Sequence, residues 1–112
     1  MSDCLFCKIV SGAIPAKPLY QDDTVLAFED IQPQAPSHFL VIPREHLADQ
    51  RGIDAGREAL MGHLIRVASQ VAADKGLSSF RTVINTGAQA GQTVFHLHVH
   101  VLGGRAMNWP PG

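Results

Sequence analysis

Apolar residues recur along this chain at two periods, and the changes of period mark its elements. Leu60, Leu64, Val67 and Val71 fall at the spacing of one helix face. They predict a long helix over 55–75, with Asp54 suited to cap its start and Gly76 to its left-handed stop. Residues 4–10 read as a short helix ended by Ser11-Gly12, and the prolines at 15 and 18 force the next stretch to be extended. Residues 19–21 and 24–29 flank Asp22-Asp23 as a β-hairpin, 38–42 form an apolar strand stopped by Pro43, and 80–85 form another strand. The order predicts an α+β fold: a mainly antiparallel sheet of about five strands, one long helix and a short N-terminal helix.

The last apolar run carries chemistry. From His96 to Leu102, His96, His98 and His100 alternate with Leu97, Val99 and Val101. A period of two is the strand period, so three imidazoles share one face and three aliphatic side chains the other. Packing tolerates one histidine among aliphatic residues, but three aligned imidazoles each need hydrogen-bond partners. Such a row can bind a metal, or it can hold one imidazole as a nucleophile while its neighbours orient it and meet developing charge. The preceding loop favours the second reading. Gly87 and Gly91 allow positive φ, so that backbone amides converge on an anion, and Gln92 and Thr93 add side-chain donors. That combination suits a phosphoryl group attacked by an imidazole nitrogen. A module that only binds metal through all three histidines would leave the loop without a purpose.

Length and charge narrow the partners. The 112 residues suit a single domain, 1–112, with an extended C-terminal tail from about 105, and 46% hydrophobic content is ordinary. A net charge of −1 with no basic run argues against a nucleic-acid polymer or a membrane as partner, while a mononucleotide remains compatible. No stretch has the length of a transmembrane helix, and Met1-Ser2-Asp3-Cys4 lacks the features of a signal peptide, so the expected location is cytoplasmic. There, Cys4 and Cys7 are read as a thiol pair or a metal half-site. His63 on the long helix has no motif behind it and reads as an exposed or interface histidine.

The run His96 to Leu102 resembles the signature of the histidine triad (HIT) superfamily. Ile14-Pro15-Ala16, Asp30-Ile31, the stretch from Gln34 to Pro43, Gly91-Gln92, Leu102-Gly103-Gly104-Arg105 and the ending Trp109-Pro110-Pro111-Gly112 extend the resemblance over nearly the whole chain. The ending is similar to that of the branch called histidine triad nucleotide-binding (Hint) proteins. That resemblance implies a HIT-like fold and a purine nucleoside 5′-phosphoramidase. His98 would be the nucleophile, passing through a nucleotidyl-histidine intermediate and releasing AMP or GMP, with aminoacyl-adenylates as further substrates. It also implies that His100 faces the phosphate or the departing group, that His38 supports the triad, and that His96 completes it. Asn85, Gly91, Gln92 and Thr93 would cradle the α-phosphate, Asp30 the ribose, and Ile31, Phe6 and Leu40 the base. Trp109 would shape the pocket of the partner in a homodimer. No cofactor is required for catalysis, but members with a cysteine pair bind structural zinc, here through Cys4, Cys7, His46 and His96. The alternatives are a dinucleoside polyphosphate hydrolase using the same His98, and a nucleotide-binding regulatory protein whose hydrolysis is incidental.

Overall fold

The structure, a computed structural model, describes residues 3–112, so Met1 and Ser2, part of the N-terminus read as leaderless, lie outside the described residues. The short helix is α1 (Leu5–Ser11), and the hairpin is β1 (Pro18–Gln21) with β2 (Val25–Glu29). There follow β3 (Ser37–Pro43), α2 (Glu58–Asp74), β4 (Phe80–Val83) and β5 (Val99–Gly103). The strands make one antiparallel sheet in the order β1-β2-β3-β5-β4, so the α+β expectation holds.

Alternation along the strands builds a core on each face of this sheet. On one face Val25, Ala27, Phe39, Val41, Leu97, Val99 and Val101 pack against Leu64, Val67, Ala68, Val71 and Ala72 of α2. On the other, Leu26, Phe28, Leu40 and Ile42 pack against Phe6 of α1. Each fully buried aliphatic side chain of this kind contributes about 1.5–3 kcal/mol. Among the described residues no helix is long and apolar enough to cross a membrane.

Three boundaries differ from the sequence reading by two residues or more. The long helix begins at Glu58, after a 3-10 turn over Ala55–Arg57. Asp54 makes no side-chain cap bond, its carboxylate pairing instead with Arg57 (3.0 Å), and Gly56 is a poor helix former. The stop at Gly76 (φ 76°) is as expected: its N–H reaches Ala73 O (2.9 Å) and that of Leu77 reaches Ala72 O (2.9 Å). The strand expected over 80–85 ends at Val83. The histidine strand is ordered as sheet only from Val99, where it pairs with Val41. Upstream, Leu97 N–H leaves the ladder for Leu47 O (2.6 Å), so His96, at a bend, and His98 stand on an irregular lead-in rather than in the strand itself.

Candidate active site

The alternation survives that break. Leu97, Val99 and Val101 enter the α2 core, while His98 and His100 turn to the α1 face. Phe6 meets the His98 ring edge-on, with centroids 5.2 Å apart, and the His98 and His100 rings lie 4.8 Å apart. His38 comes from the neighbouring strand β3, two residues from Leu40, which pairs with His100.

Main-chain atoms fix the tautomers of His98 and His38, and His38 in turn fixes that of His100. His98 Nδ1–H donates to the carbonyl of His96 (2.7 Å), which leaves Nε2 with its lone pair. The amide of Gln34 donates to His38 Nδ1 (2.9 Å), so the His38 proton must sit on Nε2. From there it points to His100 Nδ1 (2.9 Å), and the His100 proton is therefore on Nε2. The site thus holds one imidazole with a free lone pair and another as an N–H donor. Burial pushes the His98 pKa down, outweighing its hydrogen bond to His96 and the Asp30 charge. Burial, with His98 and His38 nearby, pushes that of His100 down to about 4. Both rings are neutral near pH 7.

Asp30 stands beside this pair. Its Oδ2 lies 3.4 Å from His38 Nε2 and 3.9 Å from His100 Nδ1, while Oδ1 accepts Gln32 N–H (2.8 Å). Phe6 and Leu40 are buried in the α1-side core. Ile31, in contrast, is 91% exposed on the loop after β2. Gly91 has φ 102°, and Asn85 packs against it, 3.8 Å from where a side chain would begin. Thr93 is exposed. Trp109 is 81% exposed beside Arg81, whose guanidinium donates to Asn108 O (2.9 Å).

Gln92 calls for a correction. The sequence suggests a phosphate donor, yet the residue is only 3% exposed and its amide is committed to the loop. Nε2 donates to Ala48 O (2.7 Å) and Val94 O (3.1 Å), and Oε1 accepts from Gly87 N (2.8 Å). Its own N–H goes to Gly87 O (3.2 Å). Gln92 shapes the loop from within and has no donor left for a ligand.

Behind the row, four ligand-type atoms converge. Cys4 Sγ lies 3.4 Å from His96 Nδ1, and Cys7 Sγ lies 3.2 Å from His46 Nδ1 and 3.6 Å from His96 Nδ1. The two imidazole nitrogens are 3.3 Å apart. His96 Nε2–H donates to Pro43 O (2.8 Å), which turns the Nδ1 lone pair toward the sulfurs. All four atoms fall within 4.8 Å of one another, a set able to hold a metal ion.

A backbone carbonyl holding the second nitrogen of His98 is expected from imidazole chemistry, but which backbone atoms serve each ring is not legible, because residue type carries no signal for them. Sequence reasoning also missed the partner of His63, whose Nε2 lies 2.6 Å from Asp22 Oδ2, an oxygen shared with the Tyr20 hydroxyl (2.7 Å).

The chain as a whole has known relatives. The family described as "HIT domain" matches residues 11–107, and the chain belongs to that histidine triad family. It is 51% identical over 111 residues to an uncharacterized HIT-like protein of Synechococcus elongatus, covering 98% of this chain and 97% of that one. Among solved structures, a HIT family hydrolase from Legionella pneumophila Philadelphia 1 superposes with a TM-score of 0.95 at 45% identity, covering 98% of this chain and 100% of that one. A second HIT family hydrolase, from Clostridium thermocellum, gives 0.94 at 41% identity, with 96% of each chain covered.

Proposed function

We propose that this protein hydrolyses purine nucleoside 5′-phosphoramidates through a nucleotidyl-histidine intermediate, as in the nucleotide-binding branch of the histidine triad family. The observation that carries this reading is the pinned tautomer of His98, whose Nδ1–H is held by the His96 carbonyl. Its free Nε2 lone pair attacks the α-phosphorus as the P–N bond breaks, and the amine departs with a proton. Imidazole is nucleophilic near neutral pH, and the depressed pKa of His98 keeps it unprotonated there. His100 Nε2–H donates to a phosphoryl oxygen or to the departing amine. Water then cleaves the phosphorus–imidazole bond and releases AMP or GMP. Asn85, Gly91 and Thr93 cradle the phosphate, Asp30 receives the ribose, Phe6 and Leu40 border the base, and Trp109 reaches the site of a second copy. The hydrolase names of two solved relatives support the reaction class.

We also propose that Cys4, Cys7, His46 and His96 hold a structural zinc ion. A tetrahedral ion with Zn–S near ~2.3 Å and Zn–N near ~2.0–2.1 Å needs S···N separations of about 3.5 Å and N···N of about 3.3 Å. The separations here, 3.2–3.6 Å and 3.3 Å, fit. When bound, the ion supplies a cross-link between α1 and the histidine segment, and catalysis remains with the imidazoles.

The test is hydrolysis of adenosine 5′-phosphoramidate and of a diadenosine polyphosphate by the wild type and by His98→Ala. Release of AMP chiefly from the phosphoramidate, falling roughly 10⁴-fold in the variant, is expected. Quenched wild-type reactions should carry adenylyl on His98. Undiminished activity in His98→Ala rules the mechanism out, and preference for the polyphosphate redirects the substrate.

A further inference from the structure

The sulfur pair is mechanically connected to the nucleophile. Phe6, which stands between Cys4 and Cys7 in the sequence, packs edge-on against His98 (5.2 Å, 88°) and His96 (5.9 Å, 69°). His96 also meets both sulfurs through Nδ1 and holds the His98 proton through its carbonyl. Disturbing the sulfurs therefore reaches His98 by packing and by a main-chain hydrogen bond at once. Small solutes can reach Cys4. Cys4 and His46 line an open cleft of about 510 Å³ together with Leu5, Thr93, Val94 and Phe95, and both cysteines are partly exposed free thiols.

We propose that Cys4 and Cys7 form a peroxide-oxidisable dithiol that switches the site off, closing to a disulfide that breaks up the four-ligand cluster and loosens α1 from His98. This rests on the zinc reading above. One thiolate attacks a peroxide oxygen, the O–O bond breaks, and a sulfenic acid forms as hydroxide leaves and is protonated to water. The second thiolate attacks that sulfur, the S–S bond forms, and a second water departs. Two electrons pass from the sulfurs to one hydrogen peroxide, two protons are taken up, and the ion is released because neither sulfur remains a thiolate. Geometry makes the change disruptive. The two sulfurs, held within 4.8 Å of one another by the cluster, have to close to about 2.05 Å. Closing that gap changes the separations of Cys4 Sγ, on the N-cap of α1, and Cys7 Sγ from His96 Nδ1, now 3.4 and 3.6 Å.

The experiment begins with the zinc content of protein purified without chelator, and zinc-free protein there removes the zinc reading and the switch together. Zinc-loaded protein is then titrated with hydrogen peroxide. One zinc per chain, read with a chromogenic chelator, should leave as the intact mass falls by two hydrogens. Over the same range phosphoramidate hydrolysis should fall at least about tenfold, and the His98 ring protons should lose the shift caused by the Phe6 ring. Dithiothreitol with zinc should restore all of these. In Cys7→Ser the sulfenic acid on Cys4 persists and is captured by dimedone; the wild-type mass and zinc readouts stand even if that variant folds poorly. Retention of zinc and both thiols at peroxide levels that consume free cysteine overturns the switch while the zinc reading stands. Zinc release with hydrolysis unchanged overturns it as well.

Discussion

At the scale of single residues, position and partner decide what a side chain does more than its type. Gln92 is the clearest case: a glutamine next to a glycine loop looks like a donor for phosphate, and only its three main-chain partners reveal the loop-shaping role. Removing it leaves buried polar groups unpaired, so Gln92→Ala should lose about 2–3 kcal/mol in urea unfolding. His38 acts through His100. Without it the His100 proton is no longer held on Nε2, so His38→Ala should lower kcat roughly 10- to 100-fold with little change in KM. Asp22 gives a pH dependence. Burial alone raises its pKa, but bonds from His63, Tyr20 and the Thr24 and Val25 amides outweigh this and hold it below the usual carboxylate range. That stabilisation is complete above the unfolded value near ~3.9 and is lost as pH falls through it toward the lower folded value. Denaturation midpoints from about pH 5 to about pH 3 should therefore drop more steeply for the wild type than for Asp22→Asn.

At the scale of elements, periodicity was legible and boundaries were less so. The two-residue alternation correctly placed Leu97, Val99 and Val101 in one core and His98 and His100 opposite. It could not show that the ladder stops at Val99, since that depends on Leu47 and Pro43, about fifty residues earlier, capturing the Leu97 amide and the His96 ring. Hydrophobic spacing found α2, but the choice of Asp54 between capping a helix and pairing with Arg57 was settled by a side chain three residues on. The exit from β5 is tightly constrained. Gly104 has φ 92°, and a Cβ there would lie 3.0 Å from Pro36 Cβ. Gly104→Ala should cost at least about 1–2 kcal/mol in a denaturant titration, from the left-handed backbone before the clash is counted.

At the scale of the molecule, the family was legible because its motifs span the chain, whereas the assembly was not. Among the described residues, edge strand β4 pairs only with β5, and Ile65 on α2 and Phe80 on β4 are 40% and 38% exposed. The expected homodimer should appear by light scattering at twice the chain mass, and Ile65→Glu or Phe80→Glu should shift it toward the monomer if these residues lie in its interface. One feature of the triad bears on its heredity. The protons of His96, His98 and His38 are positioned by Pro43 O, His96 O and the Gln34 amide, atoms that nearly every amino acid possesses. A point mutation cannot delete a carbonyl, so this part of the machinery tolerates drift in the surrounding side chains for as long as the strands keep their alignment. An insertion or deletion between Gln34 and Pro43 is then far more damaging than a substitution there, because it moves His38 out of step with the Gln34 amide, or His96 out of step with the Pro43 carbonyl, and His98 takes its setting from His96.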